Sequence, residues 1–163
     1  FASFSLIYIL IARSNKCSES FLIGWWFGFG YFSTGLYWFA YALLIDVKIY
    51  GWLIPFAVFG LSGLFAIYFG CASFLCKLFN KKGFLGLVIF STLFTLAEWC
   101  LGHFFTGFPW NLFAYTWSFS IIMLQTASIT GAYGLVFITI MCGASIGVSS
   151  SEKSKFSLSL YLI

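Results

Sequence analysis

The sequence predicts an all-α membrane protein, a polytopic helical bundle with four complete spans and two partial spans. Three observations lead to this fold class: 62% of the 163 residues are apolar, only 7% are charged, and the mean hydropathy is +1.03. A water-soluble domain needs roughly a quarter of its residues charged to cover its surface. Lipid is therefore expected to be the solvent for most of the outer surface.

The individual spans follow from the apolar runs, because a helix needs about 20 apolar residues to cross a hydrocarbon core. Complete runs cover residues 21–45, 51–76, 84–102 and 121–148. Shorter runs at 1–12 and 156–163 are interpreted as partial spans. We treat residues 1–163 as one transmembrane domain, and we expect it to be a fragment of a longer protein.

Charge between the runs predicts the orientation, since short cytoplasmic loops collect Lys and Arg. Seven of the eight basic residues lie in the segments 13–20, 77–83 and 149–155. The segment 46–50 holds only Lys48, and 103–120 holds none. We place the basic loops in the cytoplasm and 103–120 outside. The net charge of +4 is explained by topology, so no nucleic-acid partner is expected.

The five cysteines do not indicate a metal or redox site. Four of them lie inside apolar runs and none is paired at a zinc-ligand spacing. We expect no metal and no cofactor, with buried cysteine acting as a small apolar residue.

Glycines are predicted to pack the helices, because small residues let backbones approach closely in lipid. A seam inside the bundle is the first interpretation and a dimer face is the alternative. The glycines assigned to packing are Gly24, Gly28, Gly35, Gly60, Gly63, Gly131 and Gly134.

A candidate site lies where the third complete run ends. An ionisable group within a span is costly unless it is paired or hydrated, so Glu98 marks a site. Pro109 and Gly107 then favour a turn at the membrane surface. An ordinary interfacial aromatic belt is the alternative interpretation. The residues predicted to contact lipid or substrate are Glu98, His103, Phe104, Thr106, Gly107, Phe108, Pro109 and Trp110.

Three motifs in this order resemble the membrane portion of bacterial apolipoprotein N-acyltransferase. They are the glycine and aromatic run 28–38, the run Glu98-Trp99 with Gly102 followed by Thr106-Gly-Phe-Pro-Trp110, and the run Gly131-Ala-Tyr-Gly-Leu-Val-Phe137. The likeness covers nearly the whole chain. One departure is Leu101, which stands where the family has Arg, and His103 stands where it has an aromatic residue. If that Arg pairs with the glutamate, His103 or a lipid headgroup would have to replace it as the partner of Glu98.

The resemblance implies a chain in the bacterial inner membrane whose partners are a phospholipid acyl donor and a lipoprotein N-terminus. The family's Glu, Lys and Cys catalytic residues belong to a nitrilase-like domain that follows these spans, so no catalytic residue is expected here. The chain alone is expected to be inactive. The alternatives are a non-catalytic membrane subunit and a degraded remnant. A transporter is less favoured, because transporters usually place polar or ionisable groups near the membrane midplane, where this sequence has only glycine.

Overall fold

The computed structural model describes residues 2–104 and 107–160, with side chains described to residue 148. This part of the chain is helical and contains no strand, which confirms the predicted all-α class. The helices are α1 (Ala2–Arg13), α2 (Cys17–Gly35), α3 (Phe39–Leu43), α4 (Val47–Tyr50), α5 (Leu61–Phe79), α6 (Gly83–His103) and α7 (Ile121–Leu160).

Helices α2 and α5 form the most extensive pair in the bundle. Gly24 lies so close to Ser73 and the carbonyl of Phe69 that a methyl group there would overlap both. One turn further on, Gly28 meets Ala66 and the ring of Phe69. Small residues at these two positions thus let the two backbones approach.

The centre of the core is aromatic. The buried ring of Phe69 stacks on Phe32, Phe94 and Phe113 at centroid distances of 5.5, 5.6 and 5.4 Å. Such rings bury much apolar area and lock one another's orientation. The stack joins α2, α5 and α6 to the segment that follows α6, so that segment is part of the core.

Three helical stretches are long and apolar enough to cross a membrane: Phe56–Phe79, Gly83–His103 and Ile121–Val148. The helix predicted over 21–45 ends instead at Gly35. Glycine, serine and tyrosine lower the hydropathy of this 19-residue helix, and hydropathy alone did not locate its end. That α2 crosses the membrane stays a prediction.

The segment from Leu36 to Gly60 is a series of short helical turns. The sequence predicts instead that this segment holds the end of the span 21–45 and the start of the span 51–76. A single π-helical turn at Phe56–Gly60 leads into α5. Pro55 removes a backbone donor just before it, and Asn111 packs against Gly35 at the end of α2. The missing N–H of Pro55 leaves a gap in the helical hydrogen-bond ladder, whereas the apolar pattern of the sequence continues through this position.

Helix α7 also departs from its predicted form. Gly131 is non-helical (φ 72°, ψ 172°) and breaks the helix. Among the described residues, no heavy atom lies within 4 Å of the Cβ position of Gly131 or of Gly60, so the packing role of these two glycines stays a prediction. Beyond the break, α7 continues through the predicted loop 149–155 to Leu160, because that polar stretch contains no proline or glycine to stop it. Residues 161–163 of the last partial span lie outside the described residues.

The close α2–α5 contact predicts that Gly24→Ala destabilises the bundle by about 1–3 kcal/mol, because the added methyl forces the helices apart. Thermal unfolding in detergent measures the effect. Gly30→Ala is the matched control on the same helix, since nothing lies within 4 Å of its Cβ position. Equal melting temperatures for the two variants would contradict this packing.

Candidate functional site

The segment after α6 folds back onto the end of that helix. The backbone N–H of Phe108 donates to the carbonyl of Leu101 at 2.8 Å, and that of Gly107 donates to Phe104 at 3.0 Å. Gly107 has φ +70°, a conformation that glycine adopts without strain. A turn from Pro109 to Asn111 follows. The turn expected from Gly107 and Pro109 is therefore present, whereas Thr106 lies outside the described residues.

Glu98 is a core residue in this structure. Its side chain is 2% exposed, and its carboxylate accepts the backbone N–H of Phe113 at 3.1 and 3.3 Å. This burial corrects the expectation that Glu98 sits near lipid headgroups. The described partner of the carboxylate is the Phe113 backbone amide and not His103, and this bond helps to offset the cost of burying the carboxylate.

Phe113, whose N–H is the donor of that bond, lies at the centre of the bundle. Its ring meets Tyr31 at 4.6 Å, Phe4 at 4.8 Å and Phe69 at 5.4 Å. The rings come from α2, α1 and α5. The Phe113 amide and ring therefore connect Glu98 on α6 with three other helices.

Two further hydrogen bonds fasten the same segment. The Tyr31 hydroxyl donates to the carbonyl of Asn111 at 2.6 Å. The Trp117 indole N–H donates to the Thr139 hydroxyl on α7 at 2.8 Å. Sequence reasoning did not single out these positions. Tyr31 could have been found, because it lies in the glycine and aromatic run 28–38.

His103 is exposed and stacks on Trp99 with ring centroids 4.4 Å apart. Its Nδ1 lies 2.8 Å from the carbonyl oxygen of Trp99, one turn earlier on α6. Since Glu98 is bonded to the Phe113 amide, the two ionisable groups have separate partners. Glu98 and His103 therefore do not form an acid–base pair, and each holds a neighbouring part of the chain in place.

The outer side of the segment presents apolar rings. Trp110 is 67% exposed and Phe104 is 52% exposed, and Pro109 is exposed as well. The exposed Tyr115 holds this side together by donating its hydroxyl to the carbonyl of Pro109 at 3.0 Å. We call these four residues the loop surface. Phe108 is not part of it, because it is half-buried against Phe65 at 4.8 Å.

The buried carboxylate predicts different outcomes for two substitutions at one position. Glu98→Leu leaves the Phe113 N–H without an acceptor and should destabilise the protein by about 1–3 kcal/mol. Glu98→Gln keeps an amide oxygen that can accept this bond and should cost less. Thermal unfolding, with protease nicking of residues 107–117 as a second measurement, compares them. Equal losses in the two variants would show that the hydrogen bond does not hold the segment.

Comparison with known proteins agrees with the three motifs. Residues 1–145 match the family described as apolipoprotein N-acyltransferase N-terminal domain. An apolipoprotein N-acyltransferase of Rhodopseudomonas palustris is 39% identical over 127 residues, which is 78% of this chain and 24% of the relative. One of Rickettsia prowazekii is 38% identical over 143 residues, 88% of this chain and 29% of the relative.

The aligned region is thus less than a third of the length of these two relatives. The family match covers most of the 163 residues, including the whole segment from Glu98 to Trp117. This chain belongs to the apolipoprotein N-acyltransferase family, through that family's N-terminal domain.

Proposed function

We propose that this chain forms the membrane part of an enzyme that transfers an acyl chain from a phospholipid to the N-terminal cysteine of a diacylated lipoprotein. In this proposal, the loop surface contacts the acyl chains or positions the catalytic part above them. The observation that carries this proposal is an exposed apolar surface whose backbone is held in place by the buried Glu98–Phe113 hydrogen bond.

The bracing matters because binding energy is lost when a flexible contact must first be ordered. Phe113 and Leu112 are buried, and they follow Trp110 by only a few residues. The indole of Trp110 is therefore held by a short, anchored stretch of backbone. Its apolar face is presented to the surroundings at little further entropic cost.

We propose that the loop surface lies on the outer side of the bacterial inner membrane. The support is the charge distribution, since the described basic residues Arg13, Lys77, Lys81 and Lys82 lie at the opposite end of α6. Helix α6 is 21 residues long and so extends about 30 Å, which is the thickness of the hydrocarbon core. The acyl acceptor and donor would then meet at the outer leaflet.

Trp110→Ala should lower the rate of lipoprotein N-acylation by roughly 10- to 150-fold, because burying a large apolar side chain against a partner is worth about 1.5–3 kcal/mol. The variant is introduced into a full-length N-acyltransferase that contains this chain, and the protein is expressed in cells depleted of their own N-acyltransferase. Mass spectrometry of the lipoprotein N-terminus then gives the ratio of triacylated to diacylated product.

Trp26→Ala is the matched control for this experiment. Trp26 is 63% exposed, nearly as much as Trp110, but it lies on α2 away from the loop surface. Its loss should leave maturation unchanged at equal expression. Normal maturation with Trp110→Ala would remove the loop surface from the mechanism, and no maturation by the unsubstituted protein would contradict acyl transfer itself.

The orientation is tested by adding a single reporter cysteine at each end of the bundle. A membrane-impermeant maleimide added to intact spheroplasts should label Ser118→Cys, and should label Lys81→Cys only after lysis. Both positions are exposed, so access to the reagent decides the outcome. The unsubstituted chain gives the background from the native cysteines. Labelling of Lys81→Cys before lysis would reverse the orientation.

A further inference from the structure

A cleft of about 340 Å³ opens at the end of the bundle opposite the loop surface. It lies between α1, the turn joining α5 to α6, and Val148 of α7. Among the described side chains, four basic ones line the cleft: Arg13, Lys77, Lys81 and Lys82. Ile11 and Phe90 also line it and are buried, whereas the basic residues are exposed or half-buried. The cleft therefore has an apolar inner wall and a positively charged outer rim.

The backbone of the α5–α6 turn concentrates positive potential here. Asn80 and Gly83 both have left-handed conformations, with φ 45° and φ 62°. They flank Lys81 and Lys82 and place both lysines directly before α6. The helix begins without an acidic residue in its first turn and without a side-chain cap at Lys82. Its first N–H groups and its dipole thus favour an anion at the same place as the lysines.

The described carboxylate at this end is Glu19. It accepts the backbone N–H groups of Asn15 and Lys16 at 2.8 and 3.3 Å. Those hydrogen bonds, with help from the charges of Lys16 and Lys77, lower the pKa of Glu19. Glu19 does not line the cleft, so among the described side chains at this end the four basic residues of the cleft outnumber the one carboxylate.

We propose that this cleft binds the phosphate headgroup of an anionic phospholipid, with its acyl chains lying along the apolar wall. Basic pockets between helices at a membrane surface recognise anionic headgroups through this combination of charge and apolar contact. A zwitterionic lipid carries an ammonium group that the four cations repel. The inference goes beyond acyl transfer, because this lipid is a bound partner and lies at the opposite end from the loop surface.

Native mass spectrometry of the purified full chain in detergent, offered phosphatidylglycerol and phosphatidylethanolamine together, tests the proposal. Phosphatidylglycerol should bind preferentially. Lys81→Gln with Lys82→Gln should weaken its binding about fivefold for each charge removed. Lys81→Arg with Lys82→Arg keeps both charges and should keep the preference. Thermal unfolding in the same detergent shows that each variant is folded.

Lys16→Gln is the matched control, because Lys16 is an exposed basic residue at the same end that does not line the cleft. It should leave binding unchanged. The proposal is overturned if Lys16→Gln weakens binding as much as the cleft variant, if the Gln variant binds normally, or if the Arg variant loses the preference. Displacement of the lipid by millimolar inorganic phosphate would overturn the assignment to a lipid. None of these outcomes bears on lipoprotein acylation, so the two proposals fail separately.

Discussion

The hydrogen bond between the buried Glu98 carboxylate and the backbone N–H of Phe113 is the constraint on which the candidate site depends. A carboxylate inside a spanning helix is stable only with a partner, and a backbone amide inside a bundle equally needs an acceptor. The Phe113 N–H supplies the donor that the carboxylate needs, and the carboxylate supplies the acceptor that the N–H needs. Their contact draws Phe113 into the stack around Phe69, and the exposed ring of Trp110 is held outside as a consequence.

The fold class could be predicted from the sequence because hydropathy reports directly which solvent a helix needs. The turn at Gly107 and Pro109 could also be predicted, since it follows from backbone chemistry that those residue types impose. The end of α2 at Gly35 and the break in α7 at Gly131 could not. Hydropathy reports the solvent that a segment needs, and it does not report the backbone conformation at either position.

The candidate site divides in the same way. Glu98 stood out as an ionisable group in an apolar run, but its role depends on an amide 15 residues further along the chain, which carries no distinctive side chain chemistry. Tyr31, Asn111, Trp117 and Thr139 contribute through contacts between separate helices, so spacing along one segment does not reveal them. The exposure of the Phe104 and Trp110 rings could be predicted, because both residues follow the end of a span.

Hydrogen–deuterium exchange of the unsubstituted chain in lipid nanodiscs tests the central claim most directly, because it reports whether the Phe113 amide is bonded and shielded. The buried hydrogen bond predicts that the Phe113 amide exchanges as slowly as the amides in the middle of α6, while the exposed Trp110 position exchanges faster. Exchange of Phe113 at the rate of an unstructured peptide would contradict the account, since the segment would then not be anchored by Glu98.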